Sequence, residues 1–462
     1  MFLTFADVFS TIILIVFFIC FVFVCIALVR TMLFKNDRIR VLNRTSLSSE
    51  KIYEYQKNMS YLFANEMVEA LTQIFPECFS NGEIKKINDS YLYVYRSNNI
   101  DAESLLINIP ITKFDKNEIE VTAQGAMGEN VYNSKTQLYC VFDALENVFL
   151  QEEKPNINLN IAIYEKEKTN ADIVGYLLEK QEKINLILGE GGKILDPITS
   201  GFRSYYALIG VGINEQVVIR YKTKKIGKGK ERIEDFVSDI TSKEMFEMKL
   251  EKEIYPAVIR IAKDMTFGNR FILNNITLFP KLGKRIIEEE FTEINKAWLT
   301  RYEVDSIKED ENNYYVDIKF YLSMSEDSST IVNAFENYVV KYGLEYVMLS
   351  EEEKSDKVSF HSPIYKFVKS LVDECFSDLY TSSYIMNDDV YDRESQKIGG
   401  NIIRFVPLYY SRDALIAMKT GSEEITFSSM DKATRFYEEM IIQFGGKQWK
   451  NKIQIIKKAW LK

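Results

Sequence analysis

One histidine, His361, stands in a chain of 462 residues. Catalytic zinc sites usually draw on two or more neutral imidazoles, so a single histidine removes the common constellations without excluding metal. Any triad or proton relay built on histidine would also have to pass through His361, which reads more simply as a structural residue. Of the five cysteines, Cys20 and Cys25 lie in an apolar N-terminal run. Cys78, Cys140 and Cys375 are too widely spaced for a zinc pattern or a disulfide framework, and read as buried thiols that behave as small hydrophobes. The GKGK at 227–230 lacks P-loop spacing and a strand-to-helix context, so it reads as an exposed basic loop. No nucleophile elbow, Rossmann fingerprint or EF-hand is present.

The elements that would position any site follow from pattern. The net charge of −9 argues against a nucleic-acid partner, which would need a basic face. With 46% hydrophobic and 27% charged residues, the composition is that of a globular protein, long enough for two or three structural units. Residues 8–29 are almost wholly apolar and are followed by Arg30, Lys35, Arg38, Arg40 and Arg44. This pattern predicts a retained single-pass transmembrane helix within an anchor of residues 1–40, with the following domain on the cytoplasmic side. Residues 48–79 read as helical, with Tyr53, Met59, Leu62, Met67, Leu71 and Ile74 as the apolar stripe. Strands at 91–95, 105–111, 157–164 and 184–189 alternate with helices at 136–150 and 171–181, which predicts an α/β sheet covered on both faces. After Gly212 the segments 215–224 and 312–322 alternate like half-exposed strands, with a helix at 329–343. This reads as a smaller α+β unit, 213–350, inserted between the two parts of an α/β domain, 41–212 and 351–462. The stretch 245–300 is helical, aromatic and basic, and suits either a helix packed on its own domain or one lying on a membrane.

Several segments, in order, resemble the carboxypeptidase S-like branch of the aminoacylase and carboxypeptidase family of two-zinc peptidases. They are RTMLFKN after the apolar run, YLYVYRS with SLLINIPI, QGAM with NSKTQLYCVFDALENVF, NIAIYEKE, LILGEGGKIL with ALIGVG, DRESQKIGGNIIRFVP, and LIAMKTGSEEI with RFYEEMI. The resemblance spans nearly the whole chain. It implies an α/β catalytic domain interrupted by a smaller domain that dimerises, and a mechanism using two zinc ions with a glutamate base.

Carried over residue by residue, the same resemblance leaves little that could bind metal. The first histidine position falls on Ile109, and the aspartate two residues on is Ile111. The bridging aspartate falls on Gly128 or Asn133. The paired glutamates become Glu165 and Lys166, which would keep the general base, or Lys166 and Glu167 if the register shifts by one. The next aspartate is Gly189, and the C-terminal histidine is Lys419. Arg393 sits where the family carries an arginine near its pocket, and could bind an anion or form a surface salt bridge. Glu190 reads as a solvated turn residue or a functional acid, and Gly191 and Gly192 as a tight strand-to-helix turn. The expectation is a membrane-anchored pseudoenzyme without zinc that binds a ligand or a partner, as a homodimer or paired with an active paralogue. The alternative is an active hydrolase of peptide or N-acyl amino-acid bonds with a non-standard site. Convergence of Glu165, Glu167 and Glu190 on one point without intervening lysines would favour the alternative.

Overall fold

A computed structural model describes residues 47–64, 66–112, 119–128, 131, 135–151, 154–196, 205–243, 245–246, 258–259, 262–290, 300–323, 326–352, 358–376, 379–386, 391–411, 413–414, 416–417 and 423–445, and part of 14–29. In chain order the strands are β1 (Glu83–Ile87), β2 (Ser90–Tyr95), β3 (Glu103–Ile111), β4 (Ile119–Val121), β5 (Gly125–Gly128), β6 (Ile157–Glu165), β7 (Leu186–Gly189), β8 (Lys193–Leu195) and β9 (Tyr205–Ile213). They continue with β10 (Gln216–Lys224), β11 (Arg301–Val304), β12 (Lys308–Glu309), β13 (Asn313–Tyr321), β14 (Glu345–Glu352), β15 (Leu379–Met386), β16 (Asn401–Arg404), β17 (Tyr409–Tyr410) and β18 (Glu423–Thr426). The main helices are α1 (Ser49–Ala64), α2 (Lys135–Phe149), α3 (Ala171–Glu179), α4 (Gly229–Thr241), α5 (Ser328–Tyr342), α6 (Pro363–Cys375) and α7 (Phe427–Phe444).

Among the described residues ten strands form one mixed sheet in the order β1-β2-β6-β3-β7-β16-β9-β8-β17, with β15 beside β9. Its centre, β6-β3-β7-β16, is parallel. β3 shows why: ESLLINIPI is apolar almost throughout, and from Ser104 onward it is buried, as a strand covered on both faces must be. Because successive side chains alternate faces, Leu105, Ile107, Ile109 and Ile111 enter the core under α1, α2, α6 and α7, whereas Leu106 joins Ala162, Tyr164 and Ile187 under α3. A second sheet, β11-β13-β10-β14 with β12 beside β13, has its own core. There α4 and α5 cover Val217, Ile219 and Tyr221, and the other face carries Arg220 paired with Asp317 at 2.7 and 2.8 Å. α5 is bounded by an Asp327 N-cap and by Gly343, whose φ of 61° suits glycine. A third small sheet, β18-β5-β4, completes the described strands.

Four expectations change. The membrane span over 8–29 is not supported, since among the described residues no helix is long and apolar enough to cross a membrane. The rest of the anchor expected over 1–40 lies outside the described residues. The single-pass, cytoplasm-facing placement rested on that span and falls with it. In the first helix it is Tyr55, not Tyr53, that is buried with Met59 and Leu62, while Tyr53 is exposed. Gly191 and Gly192 lead from β7 into strand β8 rather than into a helix. A Cβ on Gly192 would stand 2.1 Å from the Arg404 carbonyl oxygen and 2.5 Å from that of Leu208, so glycine is needed where three backbones meet. In 245–300, Leu273, Ile276, Ile286 and Ile287 enter the large core rather than the core of the second sheet, so this stretch packs on the α/β domain and not within the unit expected over 213–350.

Candidate functional site at the carboxyl ends of the central strands

The parallel strands β6, β7 and β16 end at one edge of the sheet, with β3 between β6 and β7, and the residues at their ends approach one another. β6 ends at Glu165 and runs into a single 3-10 turn, Lys166–Lys168. β7 ends at Gly189, followed by Glu190, and β16 ends at Arg404, directly beside Gly189 in the register. Lys166 Nζ lies 3.1 Å from Glu190 Oε1, with both side chains mostly buried. Lys166 also stands 5.2 Å over the Tyr391 ring. Lys168 Nζ reaches Glu165 Oε2 at 3.2 Å and Asp89 Oδ2 at 3.0 Å. Burial pushes the Glu190 carboxyl above its ordinary pKa, and Lys166 opposes that shift.

Beneath this pair lies one that is fully enclosed. Arg404 Nε donates to Asp392 Oδ1 at 3.1 Å, with both side chains at 0% exposure. The space they fill is made by Gly189, because an ideal Cβ there would stand 1.9 Å from Asp392 Oδ2 and 3.2 Å from Arg404 Cγ. The Tyr164 hydroxyl is buried on the same face, and its ionisation is suppressed first by burial, then by the charges of Asp392 and Glu190. Alongside, Asn108 and Asn170 each donate to Ser395 Oγ, at 2.9 and 2.7 Å. They tie β3 and the start of α3 to the turn Arg393–Ile398 that carries Ser395.

Among the described residues, those expected at the site do not gather as one constellation. Ile109 and Ile111 are fully buried on the opposite face of the sheet from Tyr164, in the larger core. Gly189, Glu190, Lys166 and Glu165 come together, but each described glutamate is met by a lysine. Arg393 Nη2 donates to the Asn214 carbonyl at 3.4 Å, where β9 passes into β10. His361 is exposed before α6, its ring 4.1 Å from Phe360. Asn133, Lys419 and the Glu167 side chain lie outside the described residues. Asp392, Arg404, Tyr164 and Ser395 escaped the sequence reading. Their one signal was an arginine, Arg404, inside the strand-like apolar run NIIRFVP, where a charge has no place unless it is paired.

Solved structures share this architecture. Human carnosine dipeptidase 1 superposes with a TM-score of 0.56 over 87% of this chain and 100% of its own, at 8% identity. The M20 family metallo-carboxypeptidase Sso-CP2 from Sulfolobus solfataricus does so with a TM-score of 0.51, over 87% and 100%, at 13% identity. The chain has the M20 metallopeptidase fold. No family model matches the sequence. Among curated proteins, the N-fatty-acyl-amino acid synthase/hydrolase PM20D1.1 of Danio rerio is 19% identical over 409 residues, covering 80% of this chain and 79% of its own length.

Against the M20 fold, the donor set decides what a metal would find. Among the described residues no group of three or more His, Cys, Asp or Glu side chains is placed to hold a metal ion. The carboxylates nearest the strand ends already have cations beside them: Asp392 has Arg404, Glu190 has Lys166 and Glu165 has Lys168. An ammonium or guanidinium at hydrogen-bond distance competes with a dication for the same lone pairs, so these residues do not fit a two-zinc centre.

Proposed function

We propose that this chain is a non-catalytic homologue of the two-zinc peptidases, of the carboxypeptidase S-like branch, that acts by binding rather than by hydrolysis. The observation that carries this reading is the Arg404–Asp392 pair packed into the space over Gly189, the position that by resemblance held an aspartate ligand. The paired charges of Lys166 and Glu190 support it. The name of the Danio rerio relative makes N-acyl amino acids the first compounds to test, with dipeptides beside them. Elemental analysis after exposure to excess zinc, with turnover assays on both substrate classes, is expected to find no stoichiometric zinc and no hydrolysis. Two tightly held zinc ions per chain would overturn the reading.

The partner we propose is a second copy, joined along β14. This strand ends its sheet, pairing with β10 alone among the described residues. It exposes four apolar residues in succession, Tyr346 (46%), Val347 (44%), Met348 (37%) and Leu349 (46%). Long apolar edges are normally blunted by charge or covered. Antiparallel pairing about a two-fold axis at Val347 sets Tyr346 opposite Met348 and leaves Glu345, Glu351 and Glu352 with no glutamate across from them. Centring on Met348 would bring Glu345 opposite Glu351, a like-charge pair.

A further inference from the structure

The enclosed ion pair leaves most of its hydrogen-bonding capacity unused. A guanidinium carries five N–H groups and no acceptor. Arg404 spends one of them, Nε on Asp392 Oδ1, while Nη1 and Nη2 meet no acceptor among the described residues. Asp392 Oδ2, Glu190 Oε2 and the Tyr164 hydroxyl are buried and unmet in the same way. These atoms lie close together. Asp392 Oδ2 and Arg404 Cγ both crowd the point where a Cβ on Gly189 would stand, and the Tyr164 hydroxyl feels the charges of Asp392, Glu190 and Arg404. The pattern continues into the next turn. There the Ser395 N–H donates to the Asp392 carbonyl at 3.0 Å, and Asn108 and Asn170, which both donate to Ser395 Oγ, each keep an unmet Oδ1.

An N–H or a carboxylate oxygen buried without a partner is costly, and such groups nearly always meet protein or ordered water. The unmet atoms at the strand ends are of both kinds. Arg404 and Tyr164 can only donate to a newcomer, the latter because burial keeps its hydroxyl protonated. Asp392 accepts. A halide would satisfy the two donors but face the carboxylate oxygens of Asp392 and Glu190. A metal cation would satisfy those oxygens but face the guanidinium. A molecule that donates and accepts at once serves all four. It must also be small, because Arg404 and Asp392 are at 0% exposure. Lys166 and Glu190, at 14% and 18% side-chain exposure, leave a narrow contact with solvent above them.

We infer that the carboxyl ends of β6, β7 and β16 bind a cluster of ordered water molecules that joins Arg404 and Tyr164, as donors, to Asp392 and Glu190, as acceptors. Nη1 and Nη2 bring four N–H groups and Tyr164 one O–H, against two carboxylate oxygens. At about three hydrogen bonds per buried water, about two or three waters serve them. The waters bridge the strand ends at the place where the resemblance puts an aspartate ligand on Gly189. The inference goes beyond the non-catalytic reading and does not depend on it, since it stands on the unmet atoms and not on turnover.

High-resolution crystals of the full chain, grown with and without sodium bromide, test it. Water density is expected at about 2.7–3.2 Å from Arg404 Nη1 or Nη2 and from Asp392 Oδ2 or Glu190 Oε2, with no bromide signal there. An anomalous bromide peak on Arg404 overturns the inference in favour of an anion. Nη1 and Nη2 both bonded to protein acceptors, with no density between them and the carboxylates, overturns it outright. In solution, oxygen-17 magnetic relaxation dispersion counts long-lived buried waters. Replacing the pair by apolar side chains, Arg404→Met with Asp392→Leu, is expected to remove about two of them. An unchanged count in the folded double variant overturns the inference, and if that variant does not fold, the crystals of the unaltered chain decide alone. Anomalous scattering at the zinc edge, collected from crystals soaked in zinc, reports on the non-catalytic reading separately. Bound zinc would sink that reading, whereas the waters stand or fall on the density around Arg404.

Discussion

Gly189→Ala is the smallest change that tests whether the buried ion pair depends on a missing side chain. The backbone at Gly189 is extended strand, so alanine carries no conformational penalty there. Its methyl group, however, would start 1.9 Å from Asp392 Oδ2 and 3.1 Å from Asp392 Cγ. Relief to an ordinary contact of about 3.4 Å requires the carboxylate to retreat by about 1.5 Å. The Asp392–Arg404 hydrogen bond is 3.1 Å long, so a retreat of that size along it opens the pair to about 4.6 Å, beyond hydrogen-bond range. Both partners have 0% exposure, so water does not replace what is lost. Breaking a buried pair costs about 3–5 kcal/mol. Urea unfolding followed by circular dichroism measures it, with Asp392→Ala as the second background. In that background the obstructing carboxylate is gone, and adding Gly189→Ala should cost less than about 1 kcal/mol, so the double-mutant cycle should show a coupling of about 2–4 kcal/mol. Equal cost in the two backgrounds would refute the steric argument, and a single-variant cost below about 1 kcal/mol would show that Asp392 moves aside freely. The same geometry predicts that Gly189→Asp will not restore zinc binding, because the added carboxylate enters space that Asp392 fills.

Burial, opposed by Lys51, pushes the Asp143 carboxyl on α2 up to about 6. Its folded pKa therefore lies above the unfolded value of about 3.9, so its contribution is fully present below about pH 4 and lost as pH rises through about 6. Asp143→Asn should then gain about 3 kcal/mol relative to the wild type between pH 4 and pH 7, and parallel urea midpoints across that range would contradict the assignment. On the edge strand, Val347→Lys places like charges across the proposed two-fold axis, and light scattering should report monomer where the wild type reports dimer. A dimer that survives both this change and replacement of 213–350 by a short linker places the interface elsewhere.

Much of the fold was legible because its elements obey local rules. The apolar runs of β3 and β6 could only be strands covered on both faces, and the alternation in 215–224 and 312–322 marked a sheet with one wet face. Tyr53 was assigned to the buried stripe because a helix's phase is set by what it packs against, and that partner, α2, lies more than seventy residues further on. Gly-Gly after β7 suggested a turn into a helix, but the demand on Gly192 comes from the carbonyl oxygens of Leu208 and Arg404, which approach only once β9 and β16 flank it.

What the sequence by itself determined was composition: a single histidine, and lysines close to the glutamates of the strand-end runs. These are statements about which atoms are present, and no folding can supply an imidazole that the chain lacks. What only the tertiary structure decided was how the charges at the strand ends are paired. Arg404 and Asp392 sit twelve residues apart in the chain, and Lys166 and Glu190 twenty-four apart. Nothing local tells a lysine near a glutamate from two separately solvated charges. Their pairing follows from the parallel register that ends β6, β7 and β16 together, and from burial, which makes an unpaired charge too costly to keep.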